Sequence, residues 1–254
     1  MSIKIIDTHC HLNMAEFDKD REEIIKNSVE NGVEFIIMPS TELKDFNEEQ
    51  TLCKKYSVLR YLVGIHPHEA KECSNSDYDA AYEHLKDENC KGIGEIGLDY
   101  YYEHSEKKTQ KEVFNNFLDI AIEKNVPVSI HSRESTEDMI DILKTKKGLK
   151  GVIHCFSGEE KLLKTGLDMG LYFGIGGVLT FKKSLLRQNI NIVPIERIVF
   201  ETDAPYLAPH PKRGKRNEPL YINYVIEEMS SLTKQSKDIL AKSAFKNSME
   251  IFSL

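Results

Sequence analysis

Short apolar runs rich in Val, Ile and Phe recur along this 254-residue chain between longer amphipathic stretches, and that alternation constrains the fold more than any other feature. The short runs are residues 3–9, 33–38 (VEFIIM), 59–65 (LRYLVGI), 91–95 (KGIGE), 126–131 (VPVSIH), 150–154 (KGVIH), 171–175 (LYFGI) and 197–202 (RIVFET). Their length suits strands. Between them apolar residues return at helical spacing, as Val113, Phe114, Phe117, Leu118, Ala121 and Ile122 do within 105–124, and again within 135–146. Strands that alternate with helices imply a parallel sheet with helical crossovers. Eight such repeats in a chain of this length favour a closed α/β (β/α)8 TIM barrel over an open doubly wound sheet. Residues 219–232 and 235–252 read as extra C-terminal helices. No linker or low-complexity tract interrupts the pattern, so one domain over residues 1–254 is expected.

Composition removes several classes. No apolar run approaches the roughly 18 residues that a membrane span needs. The amino terminus enters a strand pattern at once, without a signal-peptide profile, so a cytoplasmic protein with no membrane partner is expected. The five cysteines, Cys10, Cys53, Cys73, Cys90 and Cys155, are odd in number and lack C-x-x-C spacing, which argues against a disulfide framework or a cysteine zinc site. The net charge of -7 argues against a broad basic face that holds nucleic acid by charge alone. A polyanionic substrate would need a local receptor.

In a barrel of this kind the chemistry gathers where the strands end. IDTHCHL puts His9 and His11 after the first apolar run, one residue apart and so on one face of an extended chain. Glu95 closes the fourth run inside GIGEIGLDYYY, His131 the fifth, His154 the sixth, and Asp203 follows the eighth in VFETDAPYLAP. Any one of these histidines would pass for a hydrogen-bonded core residue. All six residues at corresponding ends favour metal binding. Imidazoles with carboxylates suit zinc, manganese or another divalent transition ion better than calcium, and magnesium stays open as an alternative. Six donors exceed the needs of one open zinc site, so two divalent metal ions bridged by a carboxylate is the economical arrangement.

These residues carry a resemblance. IDTHCHL, VGIHPH, GEIGLDYY, HSRE, IHCFSG, ETDAPYLAP and RGKRNEP, in this order from end to end, resemble the signatures of the TatD family of metal-dependent deoxyribonucleases, within the amidohydrolase-like barrels. The resemblance implies a di-metal phosphodiesterase acting on DNA as its substrate, an exonuclease in particular, with His9, His11, Glu95, His131, His154 and Asp203 as ligands. Two ions would activate water and neutralise phosphoryl oxygens. Glu95 would bridge them, His9, His11 and Asp203 would hold the first, and His131 and His154 the second. Asp203 is the expected general base and later proton donor. Glu201, two residues before it, either orients a ligating imidazole or pairs with a neighbouring cation.

Several polar residues are candidates for substrate binding. Arg133 shares strand parity with His131 and is expected to contact phosphate. The resemblance favours His66 as a substrate contact, while His68 is left open. Lys212, Arg213, Lys215 and Arg216 crowd one Pro/Gly-bounded loop after the last strand, and Arg213 and Arg216 are expected on the DNA backbone. Tyr100, Tyr101 and Tyr102 either offer a stacking surface for bases or cover the site. The competing functions are a metal-dependent amidohydrolase or esterase acting on a small molecule, and a catalytically silent nucleic-acid-binding protein.

Overall fold

The computed structural model describes residues 4–254; Ile3, in the first expected strand, lies outside the described residues. Every expected strand forms: β1 (Ile5–Asp7), β2 (Val33–Pro39), β3 (Leu59–Val63), β4 (Cys90–Asp99), β5 (Val128–Arg133), β6 (Gly151–Ile153), β7 (Tyr172–Ile175) and β8 (Ile198–Phe200). They make one eight-stranded sheet in chain order. Between and after them lie α1 (Arg21–Glu30), α2 (Leu43–Lys55), α3 (Asn75–His84), α4 (Lys107–Lys124), α5 (Thr136–Thr145), α6 (Glu160–Asp168), α7 (Leu185–Asn189), α8 (Ile222–Thr233) and α9 (Lys237–Phe252). The chain is a (β/α)8 barrel in which α8 and α9 are the additional C-terminal helices.

Two compact units are distinguishable: the described residues up to 38 with 155–160 and 173–254, and residues 39–154 with 161–172. In the first, β1 pairs in parallel with β2, and Thr8 N–H donates to Phe200 O at the end of β8. Asn247 on α9 donates to the carbonyls of Ile195 and Ile198, which ties this helix to β8. In the second, β3, β4, β5 and β6 pair in parallel. α4 covers β4 with a buried face of Val113, Phe114, Phe117, Leu118 and Ala121, the 3.6-residue spacing that predicted it. Asn125, left-handed at φ 54°, then ends the helix.

Strand lengths differ from expectation at two places that matter. β1 stops at Asp7, so His9 and His11 belong to the loop beyond it. β4 runs on to Asp99, which places Glu95 in mid-strand. Gly97, at φ 150°, permits this extension: a Cβ there would lie 2.0 Å from His131 O on the paired strand. Pairing through Leu98 and Asp99 to Ser132 and Arg133 therefore continues past the residues that end the apolar run.

Candidate functional site

In the first unit the chain bends at Thr8 after β1 yet stays bonded to its neighbours. Cys10 N–H donates to Ile37 O, His11 N–H to Ala204 O, and Asp203 N–H to His9 O at 2.8 Å. These bonds hold His9, His11 and Asp203 side by side. The two imidazoles are buried, edge to face at 5.0 Å, with their Nε2 atoms 3.8 and 3.5 Å from Asp203 Oδ1. Asp203 takes a left-handed backbone at φ 58°, a conformation that Asp tolerates better than most side chains. Beneath them Asp7 is fully buried, and burial pushes its carboxyl up to about 8, against bonds from Thr202 and the His9 N–H. Asp7 thus fixes the chain on both sides of the cluster. Glu201, also buried, accepts the Cys155 N–H that follows His154. Gly174 makes room for it: a Cβ there would be 2.1 Å from Glu201 Oε2.

The second unit centres on Glu95. Its Oε1 lies 2.7 Å from His154 Nε2 and 2.8 Å from His131 Nδ1, and those two nitrogens are 3.3 Å apart. The Glu95 N–H donates to Ser40 O at 2.7 Å, which anchors the strand at this carboxylate. His66 Nε2 is 3.5 Å from the same Glu95 oxygen. His66 Nδ1 accepts the His68 N–H, so in a neutral ring the hydrogen is on Nε2 and faces the site. Nitrogen and oxygen atoms of His66, Glu95 and His131 fall within 4.8 Å of one another, so His66 borders the same cluster as a donor.

Asp99 was not singled out in the sequence. It is 1% exposed, and its Oδ2 accepts from His131 Nε2 at 3.1 Å and from His68 Nε2 at 3.0 Å. The His131 bond assigns the hydrogen to Nε2 and leaves the Nδ1 lone pair directed at Glu95, the arrangement by which a carboxylate orients a ligating imidazole. Burial alone would raise the Asp99 pKa, yet the bonds from His131, the Tyr102 N–H and His68 outweigh it and hold the carboxyl well below its ordinary range. On His131 the balance is similar: burial lowers its pKa, and Asp99 and Glu95 raise it overall. The signal was present, because Asp99 has the strand parity of Glu95 once GEIGLD is read as one strand.

The donors suit a divalent ion. Imidazole lone pairs and carboxylate oxygens converge at 2.7–3.3 Å without a lysine or arginine among them, and such a set is normally paired or metal-bound. The expected substrate residues are placed differently. The Arg133 guanidinium lies over the rings of Tyr101 and Tyr102, at 4.1 and 4.7 Å. Arg213 packs over Phe181 and donates to Ala208 O. Arg216 forms a two-pronged pair with Asp20, at 2.8 and 2.7 Å, and lies over Phe17.

A family model described as TatD related DNase matches residues 6–253. An uncharacterized metal-dependent hydrolase of Bacillus subtilis, YabD, is 35% identical over 98% of both chains. A Pantoea ananatis protein named 3'-5' ssDNA/RNA exonuclease TatD is 30% identical over 98% of this chain and 100% of its own. Among solved structures, the TatD homologue YJJV of Escherichia coli superposes over 100% of both chains with a TM-score of 0.94 at 27% identity.

Proposed function

This chain belongs to the family of TatD-related DNases, and on that premise we propose that it is a metal-dependent phosphodiesterase that hydrolyses DNA as an exonuclease. The observation that carries the reading is the convergence of His131 and His154 on Glu95, matched by His9 and His11 beside Asp203. In this reading two divalent ions, zinc, manganese or magnesium, would be held by His9, His11 and Asp203 for the first, His131 and His154 for the second, and Glu95 as a ligand to both. Ions there would supply a water acidic enough to ionise near neutral pH and positive charge for the phosphoryl oxygens.

The protein's own groups do the rest. Asp203, whose side chain is 15% exposed, can accept the proton of an attacking water and return it to the leaving oxygen. His66 presents Nε2–H as a donor to a phosphoryl oxygen. Arg133 and Arg213 add charge for the backbone, and Arg216 does so by exchanging Asp20 for phosphate. Asp99 keeps His131 in the tautomer that ligation needs. In the same reading residues 1–254 are one domain and the enzyme is cytoplasmic, where five free cysteines persist as thiols. No helix among the described residues is long and apolar enough to cross a membrane.

The test is turnover by metal-reconstituted protein on single-stranded DNA, duplex DNA, RNA, a chromogenic phosphodiester, and a set of amides and lactones. Release of mononucleotides from DNA is expected. Turnover confined to amides or lactones would replace this reading with small-molecule hydrolysis. DNA binding without turnover in any metal would mark a silent binding protein.

A further inference from the structure

Tyr100, Tyr101 and Tyr102 leave β4 together, and the structure separates their tasks. Tyr100 is half-buried, its hydroxyl donates to Asp138 at 2.6 Å, and Lys107 lies over its ring at 4.5 Å. It belongs to the scaffold. Tyr101 and Tyr102 are 54% and 51% exposed, the two most exposed large aromatic side chains among the described residues. Rings that served as a cover would be buried against what they cover, so exposure on this scale decides against that role.

These rings are nevertheless held in place. Asp99 Oδ1 accepts the N–H of both Tyr101 and Tyr102, each at 3.0 Å, while its other oxygen accepts from His131. One carboxylate thus fixes the aromatic turn and a ligand imidazole together. Arg133, two residues beyond His131, spreads its guanidinium over both rings. His104 lies parallel to Tyr102, 3° off, at 5.6 Å. Two exposed rings set edge to face at 4.7 Å, with a flat cation against both and anchored beside the ligand strand, have the composition of a site for stacking bases without regard to sequence.

We propose that Tyr101, Tyr102 and Arg133 form a stacking subsite for an unpaired nucleobase next to the phosphate that is cleaved. The subsite rests on the phosphodiesterase reading and adds that binding requires the face of a base as well as backbone charge. A paired base inside a duplex presents no free face, so the platform engages only strands whose end has separated.

The experiment compares two nuclease-resistant phosphorothioate strands of equal length on the metal-loaded protein, oligothymidylate and the same strand with abasic residues at its 3′ end. Affinity is read by fluorescence anisotropy. The parent should bind the abasic strand about tenfold more weakly, as expected for the loss of a stacked base. Tyr101→Ala/Tyr102→Ala should bind both strands with similar Kd, and Tyr101→Phe/Tyr102→Phe, which keeps the faces, should restore the difference. If the alanine variant fails to fold, Tyr101→Leu/Tyr102→Leu takes its place in the same comparison. A parent that does not distinguish the strands, or an alanine or leucine variant that still does, overturns the subsite and leaves the phosphodiesterase reading standing whenever the parent hydrolyses ordinary DNA. A parent that cleaves no phosphodiester overturns that reading itself.

Discussion

Glu49 is fully buried on α2, and its Oε2 lies 2.5 Å from Ser40 Oγ, which is itself 2.9 Å from Leu62 O. The Ser40 hydroxyl donates to Glu49 Oε2 and shares its hydrogen with Leu62 O. Burial, opposed by the Ser40 bond, holds the Glu49 pKa well above its ordinary value. An acid with a raised folded pKa binds its proton more tightly when folded. Its stabilising contribution is therefore present below the unfolded value, about 4.3, and is lost as pH rises through the folded one. Glu49→Gln keeps the shape and a donor without a titrating proton. Urea unfolding at several pH values should show the parent losing stability relative to this variant as pH increases; parallel profiles would mean that Glu49 does not titrate in this way. Asp203 carries the other residue-scale prediction. Asp203→Asn matches its shape but is a poor proton acceptor, so kcat on DNA should fall at least about a hundredfold while much of the metal stays bound. Recovery to the parent rate once metal analysis shows full occupancy would make Asp203 a ligand only. The candidate ligands were legible in the sequence because they stand alone against apolar runs. Glu49, Ser40 and Asp99 were not, because each acts through a partner distant in sequence: Ser40 through Glu95, Asp99 through His131.

Each element was recognised by its hydrophobic period, and its ends were set by something that period does not encode. β4 outruns its apolar run because Gly97 allows close approach to β5, and β1 falls short because the chain beyond Asp7 bonds to Ile37, Ala204 and Asp203 instead of a regular ladder. The basic loop at 210–219 shows the same limit. Its charges were visible in the sequence, but that Asp20 and Glu16 O would occupy Arg216 was not. The two arginines should therefore behave differently. Arg213→Ala should raise KM for DNA and reduce the slope of log K against log salt by about one, the share of a single phosphate. Arg216→Ala should do the same and also lower stability, by no more than about 1 kcal/mol since the pair with Asp20 is partly exposed. Binding isotherms between low and moderate salt, with melting curves on the same variants, separate the effects. Unchanged slopes in both would confine the loop to a structural role.

At the scale of the whole molecule, the candidate ligands come from His9 to Asp203, nearly the full length of the chain, and only the folded barrel can present them. The alternation of strands and helices made that barrel legible, whereas the number of ions depends on side-chain geometry that no spacing conveys. Ions that bind the folded state alone must stabilise it. A site filled at a hundred times its Kd contributes about 2.7 kcal/mol, which for a chain of this size raises Tm by roughly 5–11 °C. Metal analysis after reconstitution should give about two divalent ions per chain, and chelation should lower Tm accordingly. His9→Ala or His11→Ala should weaken one ion more than the other. Glu95→Ala should disturb both, because in the proposed assignment it is the one ligand common to the two ions. A saturating content of one ion or none would refute the binuclear centre. Equal loss of both ions in all three variants would leave two ions but remove Glu95 as the bridge, since a bridging ligand is the one position whose deletion must differ from the rest.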